Sequence, residues 1–209
     1  MSISNMNPSI AVVPPKWIVP ILLERHYLHR RPPISQAYAV TLNGKTPARI
    51  DNVVAVATFG VPASRHLQKS VCPDYPNLVL ELNRVWIDDA MPKNFASWFL
   101  SRCLKDTLQG LLICSYADTS VGHFGYMYRA CNWHYAGWTD MDRKTPRFDY
   151  VAPGKHSRDA FRNGYTKKVR RKPKVRYWRA TGDKRTRKWL ESICGWPKLN
   201  WKEQPPPCE

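Results

Sequence analysis

The stretch from Leu80 to Trp138 constrains this chain most, because strand, helix, strand and helix signals follow one another with almost no loop between them. Leu80 to Ile87 reads as a strand and the acidic pair Asp88-Asp89 as the turn after it. Pro92 suits a helix entrance and Gly110 its exit. Between them Phe95, Trp98, Phe99, Cys103 and Leu108 recur at helical spacing, while Ser97, Ser101 and Lys105 share the other side. That spacing predicts a helix over 94–108. Leu111 to Tyr116 is too short for a helix and is flanked by breakers, so it reads as a strand with Asp118 at its exit. Tyr126 to Trp133 reads as a second helix and Tyr135 to Thr139 as another strand. Such a strand–turn–helix unit presents unpaired backbone N–H groups and a positive dipole end, suited to a phosphate or a thioester carbonyl. The next strand end aims a carboxylate at the same place.

The flanking sequence adds strands. Gln36 to Leu42 alternates, with Asn43-Gly44 as a turn signal, and Val53 to Phe59 is apolar on both faces, as in an internal strand. Asn77 to Ile87 reads as one long strand, Pro62 to Pro76 as a loop, and Lys16 to Leu28 as either a short helix or an extended segment. Lys174 to Ala180 reads as a strand; Asp183 is placed to cap a helix that runs through Ile193 and stops at Gly195. Strands before the first firm helix, then alternation, imply a single-domain α/β (α+β) fold with a central mixed, twisted sheet flanked by helices. The expected divisions are a flexible terminus over 1–15, a core over 16–154 and a basic extension over 155–209 packed on that core.

Charge supplies the other large signal. The 209 residues carry a formal net charge of +17, and residues 155–209 alone hold 17 Lys/Arg against 5 Asp/Glu, leaving only +5 for the first 154. Such an imbalance implies a polyanionic partner, and nucleic acid is the commonest. In 167–179, cations supply phosphate contacts and aromatics offer stacking faces. The candidate nucleic-acid residues are Lys167, Lys168, Arg170, Arg171, Lys174, Arg176, Trp178, Lys184, Arg185 and Arg187. Trp133, His134, Tyr135 and Trp138 are candidates for a wall on which a base stacks. A solvated charge run is the competing explanation. No apolar run approaches the roughly 20 residues a bilayer span needs, so a membrane is not expected as partner, and no signal peptide is expected. The six cysteines form no CxxC pair, which suggests reduced thiols in a cytosol.

Spaced motifs carry a resemblance. They are Glu81-Leu-Asn-Arg84, Pro92-Lys-Asn94-Phe-Ala-Ser97, Ser115-Tyr-Ala-Asp118, Gly122-His123 and Gly125-Tyr-Met-Tyr128-Arg-Ala130-Cys-Asn132-Trp133, preceded by His26-Tyr27 and Arg30. In this order they resemble the phage Mom family, over roughly residues 24–138. The resemblance implies a transferase that places a methylcarbamoyl (carbamoylmethyl) group on N6 of adenine in double-stranded phage DNA. That modification blocks host restriction, and the setting is the cytoplasm of the infected bacterium. It also implies a GNAT-like acyltransferase fold and a coenzyme A thioester, acetyl-CoA or another, as donor. A homodimer is compatible with it. Two rivals stand beside it: an N-acetyltransferase acting on a protein or small amine, and a non-catalytic DNA-binding protein.

Residue by residue, the resemblance assigns Arg84, Lys93, Asn94, Ser97 and Tyr128 to the donor, and Arg84, Ser97, Tyr128 and Asp118 to the chemistry. Alternatives remain for each: Arg84 paired on the surface with Glu81 or Asp88, Ser97 stabilising the helix start, Tyr128 in the core, and Asp118 capping the next turn. The segment Asp88 to Asn94 has no glycine and two acids, unlike the glycine-rich pyrophosphate turn of ordinary GNAT enzymes. A carbamoylmethyl group is attached through its methylene carbon, which demands activated carbon chemistry that side chains supply poorly. Iron held by His26, Tyr27 and Asp118, with His123 in support, is therefore a candidate helper.

Overall fold

The computed structural model describes residues 2–43, 52–106, 108–140, 143–153, 155 and 157–203. Seven strands make one mixed sheet: β1 (Ser9–Val12), β2 (Gln36–Thr41), β3 (Val53–Gly60), β4 (Val79–Ile87), β5 (Leu112–Asp118), β9 (Lys174–Ala180) and β6 (His134–Trp138), in that spatial order. β1 to β4 form an antiparallel meander, β4 and β5 run parallel, and β9 lies antiparallel between β5 and β6. The helices are α1 (Pro15–Arg25), α2 (Arg65–Val71), α3 (Phe95–Asp106), α4 (Tyr126–Ala130), α5 (Ser157–Arg162) and α6 (Lys184–Ile193). A separate two-stranded sheet pairs β7 (Phe148–Tyr150) with β8 (Lys168–Arg170).

Alternation along the strands sorts the core onto two faces. In β2, Tyr38 and Val40 pack with α3, while Ala37 and Ala39 pack with Ile18, Ile21 and Leu22 of α1. Phe95, Phe99, Leu100, Cys103 and Leu104 of α3 bury the stripe expected from their spacing. Each large apolar side chain so buried contributes about 1.5–3 kcal/mol. Trp178 and Ala180 of β9 point to the opposite face, against Leu190 of α6 and Val71 of α2. Helices on both faces of a mixed sheet are the expected architecture.

Three segments depart from expectation. The first fifteen residues contribute β1, whose register runs Ser9↔Thr41 to Val12↔Tyr38, so part of the terminus forms a sheet edge. Pro62 to Pro76 contains α2, anchored because Val71 and Cys72 are fully buried. The expected boundary between core and basic extension cuts through the main sheet, because β9 is an internal strand, paired with β5 from Leu112↔Ala180 to Asp118↔Lys174. Asp183 does cap α6, its side chain accepting from Thr186 N at 2.7 Å. Gly44, the second half of the turn signal after β2, lies outside the described residues.

Candidate active site in the splay between two parallel strands

β4 and β5 pair over three positions, Val79↔Leu112, Leu80↔Ile113 and Glu81↔Cys114. β4 then continues to Ile87 and β5 to Asp118, so the strands part and a cleft opens beyond Glu81 and Cys114. A cavity of about 670 Å³ fills it, walled by β4 from Leu82 to Ile87, by Tyr116 and Ala117 of β5, by the segment Val121 to Tyr128, and by Arg25, His26 and Tyr27.

Ser115 stands where the strands part. Its hydroxyl donates to Leu82 O across the gap at 2.7 Å. Having one proton, it accepts from the Tyr128 hydroxyl, 2.8 Å away. Burial pushes the Tyr128 phenol well above its ordinary range, so it stays protonated at neutral pH. The Tyr128 ring stacks on Tyr177 at 4.9 Å, which fixes its aim.

Arg84 lines the same cavity. Its Nη1 donates to Asn83 O at 2.5 Å, while its buried Nε has no hydrogen-bond partner. Burial and then the charge of Arg30 pull its pKa down while Glu81 opposes the shift, and an anion in the cleft would compensate the buried cation further. The opposing pairing with Asp88 is absent among the described residues; Asp88 instead accepts from Ala90 N at 2.9 Å. That contact satisfies a turn amide with a carboxylate.

Asp118 sits behind the cavity wall and meets it through Tyr27. Lys174 Nζ donates to its Oδ2 at 2.6 Å, Ser120 Oγ to its Oδ1 at 2.6 Å, and the Tyr27 hydroxyl lies 3.5 Å from Oδ2. Burial opposes ionisation, but the hydrogen bonds from Lys174 and Ser120 outweigh it and hold the carboxyl below its ordinary value. The residue thus caps the turn after β5 and also orients the site. Burial and the Asp118 charge push Tyr27 up to about 12. His26 stacks on Tyr27 at 4.5 Å, and His123 meets the other ring edge-on at 5.7 Å. Burial, then Arg84, lowers His26 to about 4, so its imidazole is neutral.

The structure therefore gathers His26, Tyr27, Arg84, His123 and Tyr128 around one cavity, with Asp118 in contact with Tyr27. Lys93, Asn94 and Ser97 stand at the start of α3, outside the lining of that cavity. Ser97 Oγ donates to Asn94 O at 2.9 Å, a helix-start role. Sequence reasoning misses Lys174 as the partner of Asp118, Ser115 as the partner of Tyr128, and Glu81, whose pKa burial raises beside Arg84 and Lys174. Strand register joins Asp118 to Lys174, helix packing brings Tyr128 onto Ser115, and no local motif announces either pair.

The iron reading requires free lone pairs. His26 Nδ1 accepts from Leu28 N at 3.1 Å, which leaves the proton on the other nitrogen. Both Asp118 oxygens are engaged by donors from Lys174 and Ser120. As the side chains stand, the N,O,O set does not fit a resident metal. No cluster of three or more His, Cys, Asp or Glu able to hold a metal occurs among the described residues.

The basic residues divide. The segment between β6 and β9 leaves and returns at the sheet end that carries Asp118, because Trp138 pairs with Val175 and Lys174 with Asp118. Its 35 residues hold 11 Lys/Arg against 4 Asp/Glu. Lys167, Lys168 and Arg170 are exposed on it. Arg171 is committed to Asp149 through Nε at 3.0 Å and Nη2 at 2.5 Å. Lys184, Arg185 and Arg187 are exposed too, but α6 starts at the opposite sheet end, beyond Ala180. Arg176 lies half-buried over the Trp196 ring at 5.4 Å. Trp178 is fully buried, its Nε1 donating to Pro197 O, and offers no stacking face. Trp133, Tyr135 and Trp138 are core residues as well, and His134 contacts Glu191, so the expected stacking wall is not there. Internal β9 and its neighbours are covered on both faces, which is why their aromatics are inside.

The model of the Mom protein family matches residues 7–191. The chain belongs to that family. No curated protein matches it. Among solved structures, an acetyltransferase of Bacillus subtilis in complex with CoA aligns over 83% of this chain and 97% of its own, at 12% identity and a TM-score of 0.40. An N-acetyltransferase of Staphylococcus aureus Mu50 aligns over 82% and 97%, at 14% identity and a TM-score of 0.45. No helix among the described residues of this Mom-family chain is long and apolar enough to cross a membrane.

Proposed function

We propose that this chain is a transferase that joins a carbamoylmethyl group to N6 of adenine in double-stranded DNA, and so protects phage DNA from host restriction in the infected cell. Family membership supports the reading. The observation that carries it is the Ser115–Tyr128 pair at the base of a cleft, on a chain of net charge +17 whose exposed cations include a cluster at that same sheet end. The new bond joins N6 to the methylene carbon of the donor. The donor's leaving group departs with the electrons of the broken bond and takes the Tyr128 proton as that hydroxyl leaves Ser115; N6 releases its own proton to water at the open mouth, and water returns a proton to the Tyr128 phenolate.

Arg84 holds an anionic part of the donor. Asp118, kept ionised by Lys174, orients the Tyr27 hydroxyl and is too weak a base to take the N6 proton. The acidic, self-satisfied turn after β4 disfavours a coenzyme A pyrophosphate in the usual pose, so the donor is a small anionic molecule or a thioester held differently. Weighing the nucleosides of DNA co-expressed with the chain tests the reading. A deoxyadenosine heavier by one carbamoylmethyl in place of hydrogen is expected; unmodified DNA beside an acetylated protein or small amine would favour the acetyltransferase reading instead.

A further inference from the structure

The geometry points to Tyr126, backed by Arg129 and Trp201, as the platform on which an adenine turned out of the duplex stacks while its amino group enters the cleft. This rests on the adenine reading above and deepens it. Tyr128, only 8% exposed, acts from inside the cavity. An adenine still paired in a duplex shows only the edge of its amino group in the major groove, with its ring stacked between neighbours, so its nitrogen cannot reach a donor carbon held beside a recessed hydroxyl. The base must leave the stack, and the lost stacking must be offset by a new aromatic face.

Tyr126 supplies such a face. It lines the same cavity, yet at 72% it is the most exposed of the large apolar side chains described. Burial does not explain a phenol ring in that position. Its place is fixed by Gly125, whose φ is +87° and where an added Cβ would stand 2.2 Å from the Tyr177 ring. Only glycine lets the chain turn so tightly against Tyr177 and then start α4 at the rim. The Arg129 guanidinium lies 5.2 Å from the Tyr126 ring centroid and 4.8 Å from that of Trp201. A cation between two rings braces the platform and brings positive charge near the phosphates that flank an extruded base. Two residues on, Tyr128 turns inward, so one short helix supplies both the rim and the interior of the site.

Duplexes carrying one adenine opposite thymine, or opposite an abasic site that frees it, provide the test. The intact protein is expected to bind the second more tightly. Tyr126→Ala should weaken binding to it by about tenfold, the scale of one base stacked on one ring, and erase the discrimination. Tyr126→Phe should retain it, and Trp201→Ala should reduce it by less. Equal binding of both duplexes by the intact protein, or unchanged discrimination in Tyr126→Ala, overturns the platform. If that happens while deoxyadenosine is still modified in co-expressed DNA, the platform alone fails. If no deoxyadenosine is modified, the adenine reading fails with it.

Discussion

Two basic regions of this chain look alike in sequence and differ in where the sheet puts them. Lys167, Lys168 and Arg170 ride on the hairpin between β6 and β9, at the sheet end where β4 and β5 part. Lys184, Arg185 and Arg187 begin α6 at the other end of β9, seven residues and about 20 Å away at the rise of an extended strand. Charge count alone treats them as one arm. Topology puts the first on a segment anchored at the cleft end of the sheet and the second at a helix start beyond the far end of β9, so under the proposed function the first set is the one placed to hold DNA.

The largest effect that would break this comparison is chemical. Tyr128→Phe removes the proposed proton donor while leaving every surface cation in place; adenine modification is expected to fall by about 10²–10⁴-fold, the range for a positioned acid, with duplex affinity unchanged by gel shift. Loss of DNA binding in that variant would mean the two functions are not separable. Next, neutralising Lys167, Lys168 and Arg170 together should weaken duplex binding at least tenfold. It should also flatten the salt dependence by roughly 0.9 in log–log slope for each phosphate left unneutralised. The same treatment of Lys184, Arg185 and Arg187 should change affinity by about twofold or less. Equal losses from both sets would erase the distinction.

Smaller effects sharpen how the cleft end is held. Asp118→Asn should lower stability by about 1–2 kcal/mol at pH 7, allowing for the partial exposure of Lys174. The Asp118 pKa is lowered in the fold, so its contribution is present above the unfolded value and is lost as pH falls through the folded one. Thermal unfolding at neutral and strongly acid pH should therefore show the variant's cost at the first and not at the second. His26 gives a window of its own. Its pKa falls from 6.5 to about 4, so the unfolded chain takes a proton in that interval and the fold does not. Stability should decline as pH drops through it, by up to about 3 kcal/mol, and His26→Gln should flatten the decline.

Much of the frame is readable from sequence because periodicity and caps are local. The stripe of α3, the strand β9 and the Asp183 cap of α6 all stand where spacing puts them. α2 is not readable in this way, since its seven residues span two turns and only Val71 is buried. In the site, His26, Tyr27, Arg84, Asp118 and Tyr128 are reached through the spaced motifs. Lys174 reads in sequence as a phosphate contact because the Asp118↔Lys174 register joins residues 56 apart. Trp133, Tyr135, Trp138 and Trp178 read as stacking surfaces because an aromatic beside cations looks the same inside or outside. Tyr126, the exposed ring one position after Gly125, has no local pattern that sets it apart from the buried aromatics around it.

Photo-cross-linking tests the central claim most directly. A duplex with a photoreactive base next to the target adenine, irradiated on the intact protein and digested, should yield adducts on peptides from 143–173 and around Tyr126. Adducts concentrated on 184–188, with none at the cleft end, would contradict it.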